Sequence, residues 1–205
     1  GSELVYEAGS TDTTGTAAYN TLAGKAQSMC KDQGDSNKGK LYLFTVSGTS
    51  ISLDSTTVID TNGTERFVGD FSPSLEASVF AYTDEGASQG EAFVTKLAYD
   101  TLTSENYIGM SRGVAVQTGD AASSGSDSVF ESASSNQIVS TFDSSNNKVV
   151  IAYRDITSAA RGKAIVGTVS GTDISFGSSE DFSTANEIEY VSATFDSNSN
   201  KIVAS

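Results

Sequence analysis

Short runs in which apolar and polar residues alternate, or in which β-branched residues crowd together, recur along this chain between clusters of Gly, Ser, Asn and Asp. That pattern predicts brief β-strands joined by tight turns. Residues 137–176 are the clearest case. Gln137–Phe142 reads as a strand, Asp143–Asn147 as a turn, and Lys148–Tyr153 as the returning strand of a hairpin. A polar turn at Asp155–Arg161 leads to Lys163–Val169, and after Gly171 a fourth strand opens at Asp173–Phe176. In Val149–Tyr153, Val150 and Ala152 point to one face and Val149, Ile151 and Tyr153 to the other. Both faces are apolar, so the sheet must be covered twice, which stacking between a preceding and a following copy provides.

Aligned to itself, the chain is repetitive. Thr45–Leu53 returns as Thr168–Phe176 with seven of nine positions identical at an offset of 123. Val79–Asp84 matches Val150–Asp155 at an offset of 71, with Ala26–Asp32 a degenerate earlier copy. Thr141–Lys148 recurs as Thr194–Lys201 at an offset of 53. Segments beginning at Val5, Val58, Phe130 and Phe182 open successive units, and the spacing of 72 between the middle two marks an insertion. The units run approximately 5–57, 58–129 (insertion about 106–127), 130–181 and 182–205, within a single repeat domain spanning 1–205.

A period of about 52 residues with four strands per unit predicts an all-β protein: a β-propeller-like array of four-stranded antiparallel blades, about four units with the last one incomplete. The final unit stops in mid-strand, and Leu4–Ala8 reads as an outermost strand lacking its companions. The expectation is an excised piece, or an unfinished edge that pairs with other protein chains.

Composition narrows the function. The net charge is −14, spread evenly: 14 acids and 6 bases in residues 1–100, 12 and 6 in 101–205. A uniformly negative surface repels nucleic acid and anionic lipid, so neither is expected as a partner. No apolar run approaches the roughly 20 residues that span a bilayer, so no membrane insertion is expected. Cys30 is the sole cysteine and histidine is absent. Intrachain disulfides, the usual zinc sites and His-based triads are thereby excluded. No catalytic residue, metal site or cofactor is assigned.

The unit Ser-x-x-Phe-Asp-Ser-x-x-Asn-Lys-x-Val-x-Ala-Tyr-x-Asp, followed by Gly-Lys-Ala-Ile-Val-Gly-Thr-Val-Ser-Gly-Thr-x-Ile-Ser-Phe-Gly, resembles repeats in large predicted virion or tail proteins of marine bacteriophages. The third unit, Phe130 through Gly177, carries the likeness most closely, Phe182–Ala204 is a half copy, and Asn106–Met110 is similar to a phrase that ends such arrays. The resemblance identifies a building block. It implies receptor binding or particle decoration on an extracellular or virion surface.

Candidate ligand-binding residues follow from position in the repeat. Asp32, Asp84 and Asp155 end the second strand of successive units and would line one rim of an array, where they could bind cations or sugars or simply cap a turn. Tyr82 and Tyr153 could offer stacking faces to surface glycans or pack between units, and Cys30 takes their place in the first unit as a buried residue. Asp143–Asn147 and Asp196–Asn200 set oxygen atoms at alternate positions as calcium loops do, yet lack the glycine and distal glutamate of an EF-hand and read as hairpin turns. The leading expectation is a non-enzymatic structural and adhesive module of a phage particle or cell surface. The alternatives are a secreted carbohydrate-binding lectin, a self-assembling extracellular filament and, last, a glycoside-active enzyme. A site with convergent carboxylates and strongly shifted pKa values would count against the first.

Overall fold

Every residue of the strand Ala77–Asp84 is buried. Because side chains alternate across a strand, burial along its whole length requires protein against both faces. That requirement organises the molecule. The computed structural model describes residues 4–6, 11–97, 122–183 and 188–205. Most of the 106–127 insertion, with Asn106–Met110, lies outside the described residues.

The first sheet is β1 (Thr11–Asn20), β2 (Lys25–Asp32), β3 (Lys38–Ser47) and β4 (Ser50–Asp60), in chain order, with a short 3-10 turn at Gln33–Asp35. The second runs β5 (Thr64–Ser72), β6 (Ala77–Asp84), β7 (Gln89–Leu97), and both β8 (Ala122–Ser124) and β9 (Ser128–Glu131) pair with β7. The third repeats the plan in β10 (Ser135–Asp143), β11 (Lys148–Asp155) and β12 (Arg161–Ser170), with β13 (Asp173–Phe176) and β14 (Glu180–Asp181) sharing the edge of β12. The hairpin β15 (Ala193–Asp196) and β16 (Lys201–Ala204) follows. Each of these pairings is antiparallel, and no α-helix occurs among the described residues. The protein is all-β, built from repeated antiparallel sheets. Residues 58–60 and 130–131, which open units in the sequence, complete the preceding sheets, opposite Lys40 to Gly39 and beside Gly90.

The sheets stack through shared cores, and the alternation along β6 divides its side chains between two of them. Phe80 and Tyr82 join Ala18, Met29, Leu41, Phe67 and Phe93 in a seam between the first and second sheets. Val79 and Ala81 join Ile138, Val149, Ile151, Tyr153 and Ile165 in a seam between the second and third. Val149, Ile151 and Tyr153 therefore do share a face, as their spacing predicts. Burying a side chain such as Phe80 stabilises by about 1.5–3 kcal/mol; its ring stacks on Phe93 of its own sheet and shares a core with Met29 and Leu41 of the first. The outer face of the first sheet is partly covered by Leu4–Tyr6. The Tyr6 ring meets Tyr42 and Phe44 edge-on with centroids 4.8 and 5.1 Å apart.

Local features recur with the sheets. Both β5 and β10 bulge after their second residue, and Arg66 and Gln137 there take φ of 57° and 51°, a left-handed conformation costly for side-chain-bearing residues. A Cβ at Gly90 would collide with the Phe130 ring, and one at Gly162 with Phe182, so a glycine is needed in each unit where an aromatic crosses the strand.

Candidate functional site

Antiparallel register puts one residue of the third strand of each unit directly across from the second. Lys40 faces Cys30, Glu91 faces Tyr82 and Lys163 faces Tyr153. Two residues further along the second strand stand Asp32, Asp84 and Asp155, all buried. Each begins a turn by accepting backbone N–H groups. Asp32 accepts from Asp35, Asp84 from Gly86 and Ala87 (2.7 and 3.1 Å), and Asp155 from Thr157 and Ser158 (2.9 and 3.1 Å). The strand-end aspartates thus share one local role, and what differs is the nearby residue set across from Cys30, Tyr82 or Tyr153.

In the seam between the second and third sheets that residue is a cation. Lys163 Nζ lies 2.9 Å from Asp155 and 4.0 Å from Glu131, which reaches across from β9. Glu131 also accepts the Tyr153 hydroxyl at 3.0 Å. Burial alone would raise Asp155. The Lys163 ammonium, with the Thr157 hydroxyl and two backbone N–H groups, outweighs it and holds the carboxyl below its usual range. Lys163 is raised in turn by its hydrogen bond to Asp155. The first sheet pairs Lys40 with Asp32 in the same way, at 2.5 Å, and that bond holds Asp32 low.

In the seam between the first and second sheets the facing residue is Glu91. Asp60, from the end of β4, takes the place Glu131 has in the other seam. One carboxylate oxygen from each of Asp60, Asp84 and Glu91 lies within 4.8 Å of the others. The residues are 8, 5 and 9 % exposed. The carboxylates are held from behind: Asp60 Oδ1 accepts from Asn62 N–H (2.7 Å), and Glu91 accepts from the Tyr82 hydroxyl (2.7 Å) and from Gln89 Nε2 (2.5 Å). Asp60 Oδ2 is buried and has no hydrogen-bond partner among the described residues. Among the described residues no lysine or arginine pairs with any of the three. Burial raises Asp60 above the ordinary carboxylate range, and the negative Asp84 and Glu91 add to the rise against the opposing Asn62 N–H. Asp127 is exposed as a residue, but its carboxyl meets the Tyr82 hydroxyl at the margin of the cluster. Loss of water around that carboxyl, followed by the charges of Glu91 and Asp60, pushes it up to about 6 against the opposing Tyr82 hydroxyl.

A polar cleft of about 230 Å³ opens beside these seams at the bulged ends of β5 and β10. Glu65, Arg66, Asp84, Glu85, Ser135 and Asn136 line it. Ser135 Oγ and Asn136 Oδ1 are buried there without partners among the described residues.

The five residues singled out from sequence fall as follows. Asp84 reaches both the acidic cluster and the cleft, whereas Asp32 and Asp155 are each paired to a lysine. The Tyr82 and Tyr153 rings are fully buried and present no face to solvent; their hydroxyls donate to Glu91 and Glu131. Cys30 is buried beside Tyr42 and Phe44. The Asp143 and Asp196 carboxylates accept from their own turns, at Ser145, Asn146, Asn198 and Ser199. Asp60, Glu91 and Asp127 were not singled out. The available signal is Gly39-Lys40, Gly90-Glu91 and Gly162-Lys163, one step of the repeat in which the middle copy reverses charge. No helix among the described residues is long and apolar enough to cross a membrane. Compared with known families, curated proteins and solved structures, the chain finds no match in any of the three.

Proposed function

We propose that the chain is a non-enzymatic structural and attachment module of a phage particle or cell surface, its sheets arranged as propeller-like blades and its ligand a hydroxyl-rich surface glycan. The observation that carries this reading is the cleft at the bulged strand ends. It combines carboxylates, the Arg66 guanidinium and two buried polar atoms that lack partners among the described residues, a lining suited to sugar hydroxyls, which both donate and accept. Stacked units make a rigid platform for such a surface, and the likeness to virion and tail repeats points the same way. The convergent carboxylates do not turn the reading toward glycoside hydrolysis. Asp60, Asp84 and Glu91 are more than nine-tenths buried, and a hydrolase needs its carboxylates open to a sugar ring and a water.

Binding of the labelled chain to a glycan array and to intact bacterial cells tests the proposal. The unmodified chain is expected to bind, and Arg66→Ala and Asn136→Ala to bind about tenfold or more weakly, the loss of one or two polar contacts, with unchanged melting temperatures. Absence of binding to both arrays and cells would contradict it.

A further inference from the structure

We infer that the seam between the first and second sheets binds a divalent cation, calcium in preference to magnesium, through Asp60, Asp84 and Glu91. This does not rest on the attachment reading. Three observations lead to it. The first is the internal comparison: a lysine stands between the carboxylates at this register in the neighbouring units, and Glu91 replaces it. The seam therefore gains a negative charge where its counterparts hold a positive one. The second is Asp60 Oδ2, buried without a hydrogen-bond partner among the described residues; an ionised oxygen of that kind is costly unless something positive meets it.

The third is size. Oxygen atoms around calcium lie about 2.3–2.6 Å from the ion and so at most about 5 Å from one another. The three carboxylates offer oxygens within 4.8 Å, a gap that suits one ion and is too small for an organic ligand. The donors are all oxygen, the chain has no histidine, and Cys30 lies in a different core, which disfavours zinc and copper. Magnesium keeps several waters and resists full enclosure, whereas calcium accepts irregular carboxylate sets. The hydrogen bonds from Asn62, Gly86, Gln89 and Tyr82 aim the carboxylates as outer partners do in metal sites. Asp127 adds further negative charge at the margin.

The test is thermal unfolding of the 205-residue chain in chelator, in calcium and in magnesium, beside Glu91→Lys and Glu91→Gln. Glu91→Lys restores the residue its neighbours use, and the Asp127 carboxyl, already in reach of the Tyr82 hydroxyl, remains to accept from it. Calcium at a hundredfold excess over Kd is expected to raise the melting temperature of the unmodified chain by roughly 5–10 °C, with a smaller magnesium effect. Glu91→Lys is expected to melt higher than the unmodified chain in chelator and to ignore calcium; Glu91→Gln is expected to fold and to need at least about tenfold more calcium. Terbium luminescence excited through tyrosine should appear only where Glu91 is kept and should be displaced by calcium. An unmodified chain unresponsive to calcium, or either variant responding as the unmodified chain does, overturns the inference.

Discussion

The two seams on either side of the second sheet are built from the same repeat and closed by different means. Toward the first sheet, Phe80, Tyr82, Phe93 and Met29 fill the space, with a buried polar link in which Gln27 bonds Thr95 and Ser78 at 2.9 and 2.7 Å. Toward the third sheet β6 and β7 contribute smaller side chains, Val79, Ala81, Ala92 and Val94, which pack with Phe130, Ile151, Tyr153 and Ile165. The charged ends differ more. Lys163 joins Asp155 and Glu131, whereas Glu91 confronts Asp84 and Asp60. A unit that stacks on both sides can change its filling freely provided its neighbour changes too. It cannot change the sign of a buried charge without acquiring a new counterion or shifting its protonation.

Changes that separate the seams should be felt in the order of what they remove. Phe80→Ala should cost about 3–5 kcal/mol in chemical denaturation, because a ring with no exposed surface leaves a cavity between two sheets; a cost below about 1 kcal/mol would mean that the first seam does not hold the units together. Lys163→Met should cost about 2–4 kcal/mol, somewhat less than a fully buried pair because the lysine side chain is 20 % exposed. Asp155→Asn and Asp84→Asn, matched in turn and strand, should differ in sign without metal. The first destabilises by roughly 1 kcal/mol, since it removes a lysine partner, and the second stabilises by a similar amount, since it removes a like charge.

The smallest effect is the pH dependence. Asp60 and Asp127 lie above their unfolded values, so the folded state keeps protons that the unfolded chain has released. Their contribution favours folding below about pH 4 and is withdrawn as pH rises through their raised folded values, about 6 for Asp127. Asp32 and Asp155 lie below theirs and act oppositely, stabilising above about pH 4 and losing that contribution in acid. Melting temperatures in chelator should therefore fall for the unmodified chain relative to Glu91→Lys between about pH 4 and 7, the variant having no such cluster to neutralise.

The fold was legible to the extent that it is local. The hairpin Gln137–Tyr153 and the two-faced strand Val149–Tyr153 follow from alternation and turn residues, and they match β10, β11 and the shared core in which Val149, Ile151 and Tyr153 pack. Alternation does not say which sheet a strand joins, so 58–60 and 130–131, read in sequence as unit openings, instead end β4 and β9, which pair within the sheets before them. The acidic cluster was illegible for a related reason. Asp60 comes from one sheet, Asp84 and Glu91 from the next, and no short window of sequence contains all three. Strand-end aspartates stood out because they recur, whereas Glu91 matters because it fails to recur. Only register, which sets Glu91 across from Tyr82 as Lys163 is set across from Tyr153, turns that failure into chemistry.

If the charge at this one register position decides whether a seam is closed by lysine or by a metal ion, exchanging the charge should exchange the closure. Calorimetric calcium stoichiometry across the unmodified chain, Glu91→Lys and Lys163→Glu tests this most directly. Relative to the unmodified chain, Glu91→Lys should lose a calcium ion and Lys163→Glu should gain one, beside Glu131 and Asp155. Equal stoichiometry in all three would contradict it.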